Sequence, residues 1–271
     1  MNTCLGCGEP LDQHWVRVGL HPTCQDPLAD QVKEEISAII SWASSTSQRS
    51  LQKSLGPSEL GHPCDRRLAY RMAGSKTFNN HIDPLIAVVG TGLHSWLEQA
   101  IRRFNVTFND TTLTPETRVQ IDPLLSGTSD VYHRQLEAVI DFKSAGADVI
   151  KKVPDVGASE AYRTQVHLYG LGYENAGMPV KNVMIVYIPR SGMLKSIQVW
   201  REPYDRQVAM DALARRDRIG AMVAEQATSP WLLDYNDFDT VDVTAKDCWF
   251  CPFKGQDMLV GATANYGCPG M

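Results

Sequence analysis

GTSDVYHRQLEAVIDFK, residues 127–143, reads as two strands joined by a turn, and the rest of the chain can be read as support for it. Val131 and Tyr132 suit extended backbone, Arg134-Gln135 falls where a turn belongs, and Leu136 to Lys143 is again rich in strand formers. Side chains alternate faces along a strand. Asp141 and Lys143 therefore point one way, and Ile140 and Phe142 point the other way, towards an expected core. Asp130 needs only to pair alongside for two carboxylates and an ammonium to share one spot. Oxygen-rich sites of that kind hold magnesium or manganese, leaving the lysine to meet a phosphate or an attacking water. An isolated D-x-K is most often an ordinary surface pair, so the surroundings must decide.

The chain has 271 residues, 43% of them hydrophobic and 21% charged, which suits one sizeable domain plus an appendage. Its longest apolar runs, Leu85 to Val89 and Val183 to Ile188, are too short to span a bilayer, and Met1-Asn2-Thr3-Cys4 lacks the basic start of a secretory signal. A cytoplasmic protein without membrane contact is expected, in the host cytoplasm if phage-encoded. A net charge of -5 argues against coating nucleic acid by bulk charge, yet it leaves room for a local basic track beside an acidic site. The seven cysteines gather at the two ends, which in a reducing compartment suggests metal rather than disulfides.

Cys4-x-x-Cys7 and, thirteen residues on, His21-x-x-Cys24 form a zinc-ribbon pattern over residues 1–28, with His14 as a spare ligand. Gly6 and Gly8 would allow the tight knuckle, and the ion would supply most of the folding free energy of so small a segment. Residues 29–55 read as a helix and a linker. Asp26 to Trp42 carries Val32, Ile36, Ile39 and Ile40 on one stripe, and Ser44 to Ser54 is polar and Ser-rich. The main domain is expected over residues 56–271.

That domain opens with Ser58-Glu-Leu60, then Cys64-Asp-Arg-Arg67 and Tyr70, a helix start leading into a basic cluster. Cys64 matters because Cys248, Cys251 and Cys268 at the far end lack a fourth partner, and four thiolates suit zinc or an iron-sulfur cluster equally by count. Gly90-Thr-Gly92 is read as introducing a helix whose buried stripe is Leu93, Trp96 or Leu97, Ala100 and Phe104. His94 and Glu98 lie one turn apart on its flank, and with an acidic hairpin downstream a metal-facing role is expected for them. Thr117 to Ile121 is read as a strand ending at an Asp122-Pro123 turn. Ser159 to Asn175 is a helix with Tyr162, Gln165 and Tyr169 on one face, Val183 to Ile188 and Ile197 to Trp200 are strands, and Asp205 to Gln226 is a helix.

In order, these signals are S-x-L and C-x-R from Ser58 and Cys64, G-x-x-x-H-x-x-x-E from Gly90, G-x-x-D from Gly127, D-x-K from Asp141, Q-x-x-x-Y from Gln165, and a cysteine-rich tail. Over Ser58 to Cys268 the sequence resembles the PD-(D/E)XK nucleases. It looks in particular like the RecB-like iron-sulfur exonucleases, a branch that includes CRISPR-associated adaptation exonucleases and related phage proteins. The specificity lies in the order and spacing of the motifs rather than in any one of them.

The resemblance implies an α/β fold, a restriction-endonuclease-like mixed sheet flanked by helices, with an N-terminal zinc ribbon and a C-terminal cysteine-rich segment. It implies that His94, Asp130, Asp141 and the backbone carbonyl of Phe142 hold a catalytic Mn2+ or Mg2+, and that Lys143 positions water or stabilises charge on the phosphate. It further implies that Glu98 binds a second ion or its waters and that Gln165 and Tyr169 contact DNA. A 4Fe-4S cluster on Cys64, Cys248, Cys251 and Cys268 is the reading it favours for the thiols. Two departures from the branch stand out, the added ribbon and the sixteen residues between Cys251 and Cys268.

The expected activity is metal-dependent DNA exonuclease action on single strands or ends, in recombination, repair or phage DNA metabolism. Arg66, Arg67, Arg102, Arg103, Lys151 and Lys152 are expected to contact phosphates. The alternative is an adaptor with a nuclease fold that binds DNA or recombination and replication proteins and cleaves only within a complex. An electron-transfer role for the cysteine tail has no flavin motif to support it.

Overall fold

In a computed structural model the described residues are 3–4, 7–11, 13, 27–47, 55–77, 79, 82–226, 238, 248–255 and 268. Two compact units divide the chain, Met1–Gln52 and Lys53–Met271. Among the described residues no helix is long and apolar enough to cross a membrane.

In the first unit, backbone hydrogen bonds join Cys4 to Gly8 and to Glu9. The Gly8 N–H donates to the Cys4 carbonyl at 2.9 Å, and the Cys4 N–H donates to the Glu9 carbonyl at 2.8 Å. Gly8 takes φ +77, a left-handed value that favours glycine. The expected ligands His21 and Cys24, and the spare His14, lie outside the described residues, as does most of the Ser44 to Ser54 segment. Helix α1 spans Pro27–Ser45, three residues beyond the expected end. Its apolar stripe, Leu28, Val32, Ile36, Ile39 and Trp42, is exposed.

The second unit is built on a five-stranded mixed sheet in the order β1 to β5, namely Leu113–Asp122, Leu125–His133, Ala138–Ala145, Asn182–Pro189 and Gln198–Pro203. β1, β2 and β3 form an antiparallel meander, β3 and β4 are parallel, and β5 returns antiparallel to β4. A parallel pair needs a long crossover. Here it carries α5 (Ala147–Val156) and α6 (Glu160–Asn175). Before the sheet come α2 (Pro57–Leu60), α3 (Asp65–Met72) and α4 (Leu85–Phe108), and after it α7 (Arg206–Gln226). The sequence reading had no helix at α5, whose Pro154 argues against one.

The two faces of the sheet are covered unequally. Val139, Val183, Ile185 and Tyr187 pack with Ile150 and Val153 of α5 and Val166, Leu168 and Tyr169 of α6 in the main core. Each such apolar side chain contributes roughly 1.5–3 kcal/mol on burial. Asp141 shares this face and is only 2% exposed. Ile140 and Phe142, expected in the core, are instead half-buried on the opposite face, beneath α4. The alternation was read correctly and the deeper face was not, because that depends on which helices pack where.

Helix α4 corrects a second expectation. It starts at Leu85, where the N–H donates to Asp83 Oδ1 at 2.8 Å, so Gly90 and Gly92 lie inside it. None of its residues is fully buried. Leu93, Leu97 and Ala100 are half-buried and Trp96 is 61% exposed, so of the two candidates Leu97 takes the place in the stripe, while Phe104 on the same side is 50% exposed. Its end is set by Asn109 at φ 48, since Asn tolerates the left-handed region at a helix terminus.

A smaller core joins Leu68, Ala69 and Tyr70 of α3, Ile219 and Val223 of α7, and Phe238, Cys251, Phe253 and Cys268 from the far end of the chain. Tyr70 and Phe253 stack with ring centroids 5.3 Å apart. Asp65 locks α3 to α7 by pairing with Arg215 and Arg218, each at 2.6 Å.

Candidate active site

β2 and β3 pair only through Val131↔Ile140, Tyr132↔Val139 and His133↔Ala138, and beyond Val131 they part. Asp130 fills the gap. Its Oδ2 accepts the Phe142 N–H at 2.7 Å, and its Oδ1 lies 3.1 Å from His94 Nδ1 on α4. One carboxylate thus ties a diverging strand pair to the helix on the half-covered face.

On β3, Lys143 Nζ meets Asp141 Oδ2 at 2.6 Å and donates to Gln165 Oε1 at 3.0 Å. The amide nitrogen of Gln165 donates to Asp141 Oδ1 at 3.0 Å and to Tyr169 Oη at 3.3 Å. Gln165 and Tyr169 sit one turn apart on α6, so helical spacing alone brings both to the same place. The close approach of α6 needs Gly127, where a Cβ would stand 2.8 Å from Tyr169 Cε1 and 2.7 Å from Pro57 Cγ. That is the physical content of the glycine three residues before Asp130.

Burial pushes the Asp141 carboxyl above the usual range, against the opposing pull of Lys143. Asp141 Oδ2 has no hydrogen bond of good geometry besides that ion pair. His94 is raised, chiefly by its hydrogen bond to Asp130 and despite burial. Tyr187, in register with Lys143, is pushed up to about 12 by burial, with Tyr162 and Asp141 adding to the effect, and so stays a phenol.

Glu98 is engaged by Arg102, at 2.8 Å to Nη2 and 2.9 Å to Nε. Glu116 was missed in the sequence. It lies on β1 between the pairs Pro115↔Val131 and Thr117↔Ser129, opposite Asp130, and takes φ +43. Its carboxyl is raised first by burial, then by the charges of Asp130 and Glu98. Pro115 beside an acid in an otherwise regular strand was the available signal.

Of the expected phosphate contacts, Arg102 and Arg103 lie on α4, and Lys151 and Lys152 are exposed on α5. Arg66 and Arg67 lie on α3 beside the second core, where Arg66 Nη1 approaches Cys268 Sγ at 3.8 Å. Cys64 caps α3, its sulfur accepting the Arg67 N–H at 3.3 Å. Burial pushes the Cys64 thiol up to about 11, with Cys268 and Cys251 adding to the shift, and Cys251 is raised by burial and by Cys268 and Cys248. Cys64, Cys251 and Cys268 therefore lie within electrostatic reach of one another, and Cys248 within reach of Cys251. Among the described residues no three His, Cys, Asp or Glu side chains stand in a ready metal-binding arrangement.

No protein-family model and no curated protein matches the chain. Among solved structures, the alkaline exonuclease LHK-Exo from Laribacter hongkongensis is similar with a TM-score of 0.46 and 11% identity, over 64% of this chain and 89% of that one. The same enzyme in complex with dAMP gives a TM-score of 0.44 at 11% identity and the same coverage. A phage related exonuclease from Haemophilus somnus 129PT gives 0.39 at 15% identity, over 60% of this chain and 82% of that one.

Proposed function

We propose that the chain is a divalent-metal-dependent deoxyribonuclease that removes nucleotides from single-stranded DNA or DNA ends. The observation that carries this reading is the convergence of His94 and Asp130 where β2 and β3 part, with Asp141, Lys143 and Gln165 joined by hydrogen bonds on β3 and α6. Two acids and an imidazole suit a divalent cation, and that cation together with the ammonium would hold a phosphodiester.

The donor set fits a Mn2+ or Mg2+ ion in its chemistry. A buried carboxylate whose protonated form is favoured by desolvation, with one oxygen held only by a lysine, is a carboxylate that a cation would stabilise. Lys143 pairs with Asp141 and His94 with Asp130. His94, Asp130, Asp141 and the Phe142 carbonyl would hold it, and the nitrogen ligand tilts preference towards manganese. Bound there, the ion supplies charge neutralisation and a water of lowered pKa.

Lys143 contributes a cation that Asp141 and Gln165 aim across the same face, where it would meet a phosphate oxygen or the attacking water. Gln165 keeps one amide orientation, because its oxygen accepts from Lys143 while its nitrogen donates to Asp141. Tyr169 and Gln165 would bound the strand near the scissile bond. Glu98 would serve a second ion or its waters on release from Arg102.

In this reading residues 1–28 form a zinc ribbon on Cys4, Cys7, His21 and Cys24, residues 29–55 a helix and linker, and residues 56–271 the nuclease domain. Cys64, Cys248, Cys251 and Cys268 would hold a 4Fe-4S cluster that joins the start of that domain to its end. The burial and mutual repulsion that raise Cys64 and Cys251 are what a cluster would relieve.

The test is direct. Purified protein given Mn2+ or Mg2+ and end-labelled single-stranded DNA degrades it, and the Asp141→Ala and Lys143→Ala variants do not. Full activity in both variants ends the proposal.

A further inference from the structure

Tyr162 stands in the first turn of α6, where its N–H donates to the carbonyl of Ser159 at 3.0 Å and reaches the Ser159 hydroxyl at 3.4 Å. Lys143 Nζ lies over its ring, 4.7 Å from the centroid. The ring also tilts against Tyr187, with centroids 6.4 Å apart. Asp141 and Gln165 claim two of the three N–H groups of Lys143, and the ring restrains the ammonium without offering a competing acceptor. Unlike Tyr187, which is buried, Tyr162 keeps 37% of its surface exposed.

An exposed aromatic ring next to a lysine that meets a phosphate is a nucleotide-reading arrangement. The amine takes the phosphate, and the ring offers a π-face to any base. Resting on the nuclease reading above, we propose that Tyr162 is a substrate-contacting residue whose ring seats the Lys143 ammonium and stacks on the base of the nucleotide that Lys143 holds by its phosphate. The site then takes single-stranded nucleic acid irrespective of sequence and requires that the strand carry bases.

The test compares oligodeoxythymidylate with an abasic oligomer of the same length, in Mn2+, for wild type, Tyr162→Leu and Tyr162→Phe. With wild type, KM is about tenfold lower on the thymidylate than on the abasic strand, the scale of one stacked base. Tyr162→Leu raises KM on the thymidylate about tenfold, moves kcat less, and raises KM on the abasic strand by a much smaller factor, so that the preference for the thymidylate is lost. Tyr162→Phe, which keeps the ring, restores the wild-type preference. A Leu variant with unchanged KM on the thymidylate, or with equal losses on both strands, overturns the proposal. If wild type cuts neither strand, the nuclease reading fails on its own. The same comparison made by fluorescence anisotropy of labelled oligomers then still decides the stacking role of Tyr162.

Discussion

Asp130 accepts the Phe142 N–H at 2.7 Å, so a side-chain carboxylate takes the place of a strand partner where β2 leaves β3. An acid expected to take part in the chemistry is therefore also a structural part of the sheet. Asp130→Asn separates the two roles, because an amide oxygen can still accept from Phe142 while the charge is gone. Activity on single-stranded DNA should fall by at least about 100-fold. The melting temperature should stay near that of wild type, and an equally active Asn variant would remove Asp130 from the chemistry.

Gly127→Ala places a methyl group 2.8 Å from Tyr169 Cε1 and 2.7 Å from Pro57 Cγ. Overpacking of this kind costs about 1–3 kcal/mol. Because Tyr169 must move, its contact with Gln165 goes too, so activity should drop further than stability. Denaturant midpoints and initial rates measured on one preparation check this, and an unshifted midpoint would mean that α6 simply slides away.

Asp65 is nearly buried and holds Arg215 and Arg218, each at 2.6 Å. Asp65→Ala removes the acceptor shared by the two guanidinium groups, but Arg218 is 55% exposed and Arg215 keeps the carbonyls of Leu60 and Pro63, so the change should cost about 1–3 kcal/mol. Chemical denaturation reads the loss. A cost within experimental error would show that α3 and α7 are held by their apolar contacts alone.

His167 is buried, with Nε2 2.5 Å from Glu202 Oε1 and Nδ1 accepting the Asp205 N–H at 3.2 Å. Its pKa is lowered below the ordinary 6.5, chiefly by burial and despite Glu202. Arg163 shares Glu202, and Tyr204 stacks on the imidazole. Protonation would set an N–H of the ring against the Asp205 N–H. The neutral ring thus contributes its full stability above about pH 6.5, and that stability is lost as pH falls towards the folded-state value. Between about pH 8 and about pH 5 the denaturation midpoint of wild type should fall more steeply than that of His167→Asn. Parallel profiles would exclude His167 as the cause.

The second core makes a compositional prediction. An anaerobic preparation should be brown, with iron and sulfide and zinc at about one per chain. Cys251→Ser should lose the iron and lower the thermal stability of the domain. A colourless protein with two zincs would overturn the cluster.

Local periodicity by itself determined the hairpin, the shared face of Asp141 and Lys143, the one-turn spacing of Gln165 and Tyr169 and the helical run of α7, because those follow from repeats of two and 3.6 residues. Periodicity says which residues share a face. It does not say which face is deeper, so Ile140 and Phe142 were assigned to a core that belongs to Val139 and Asp141, and Phe104 was assigned burial that α4 does not give it. Only the tertiary structure set Glu116 opposite Asp130, put the Phe142 N–H on a carboxylate and laid Lys143 over Tyr162. Each of these joins elements distant in sequence, and contacts of that kind are decided by how α4 and α6 pack on the sheet rather than by the residues beside them in the chain.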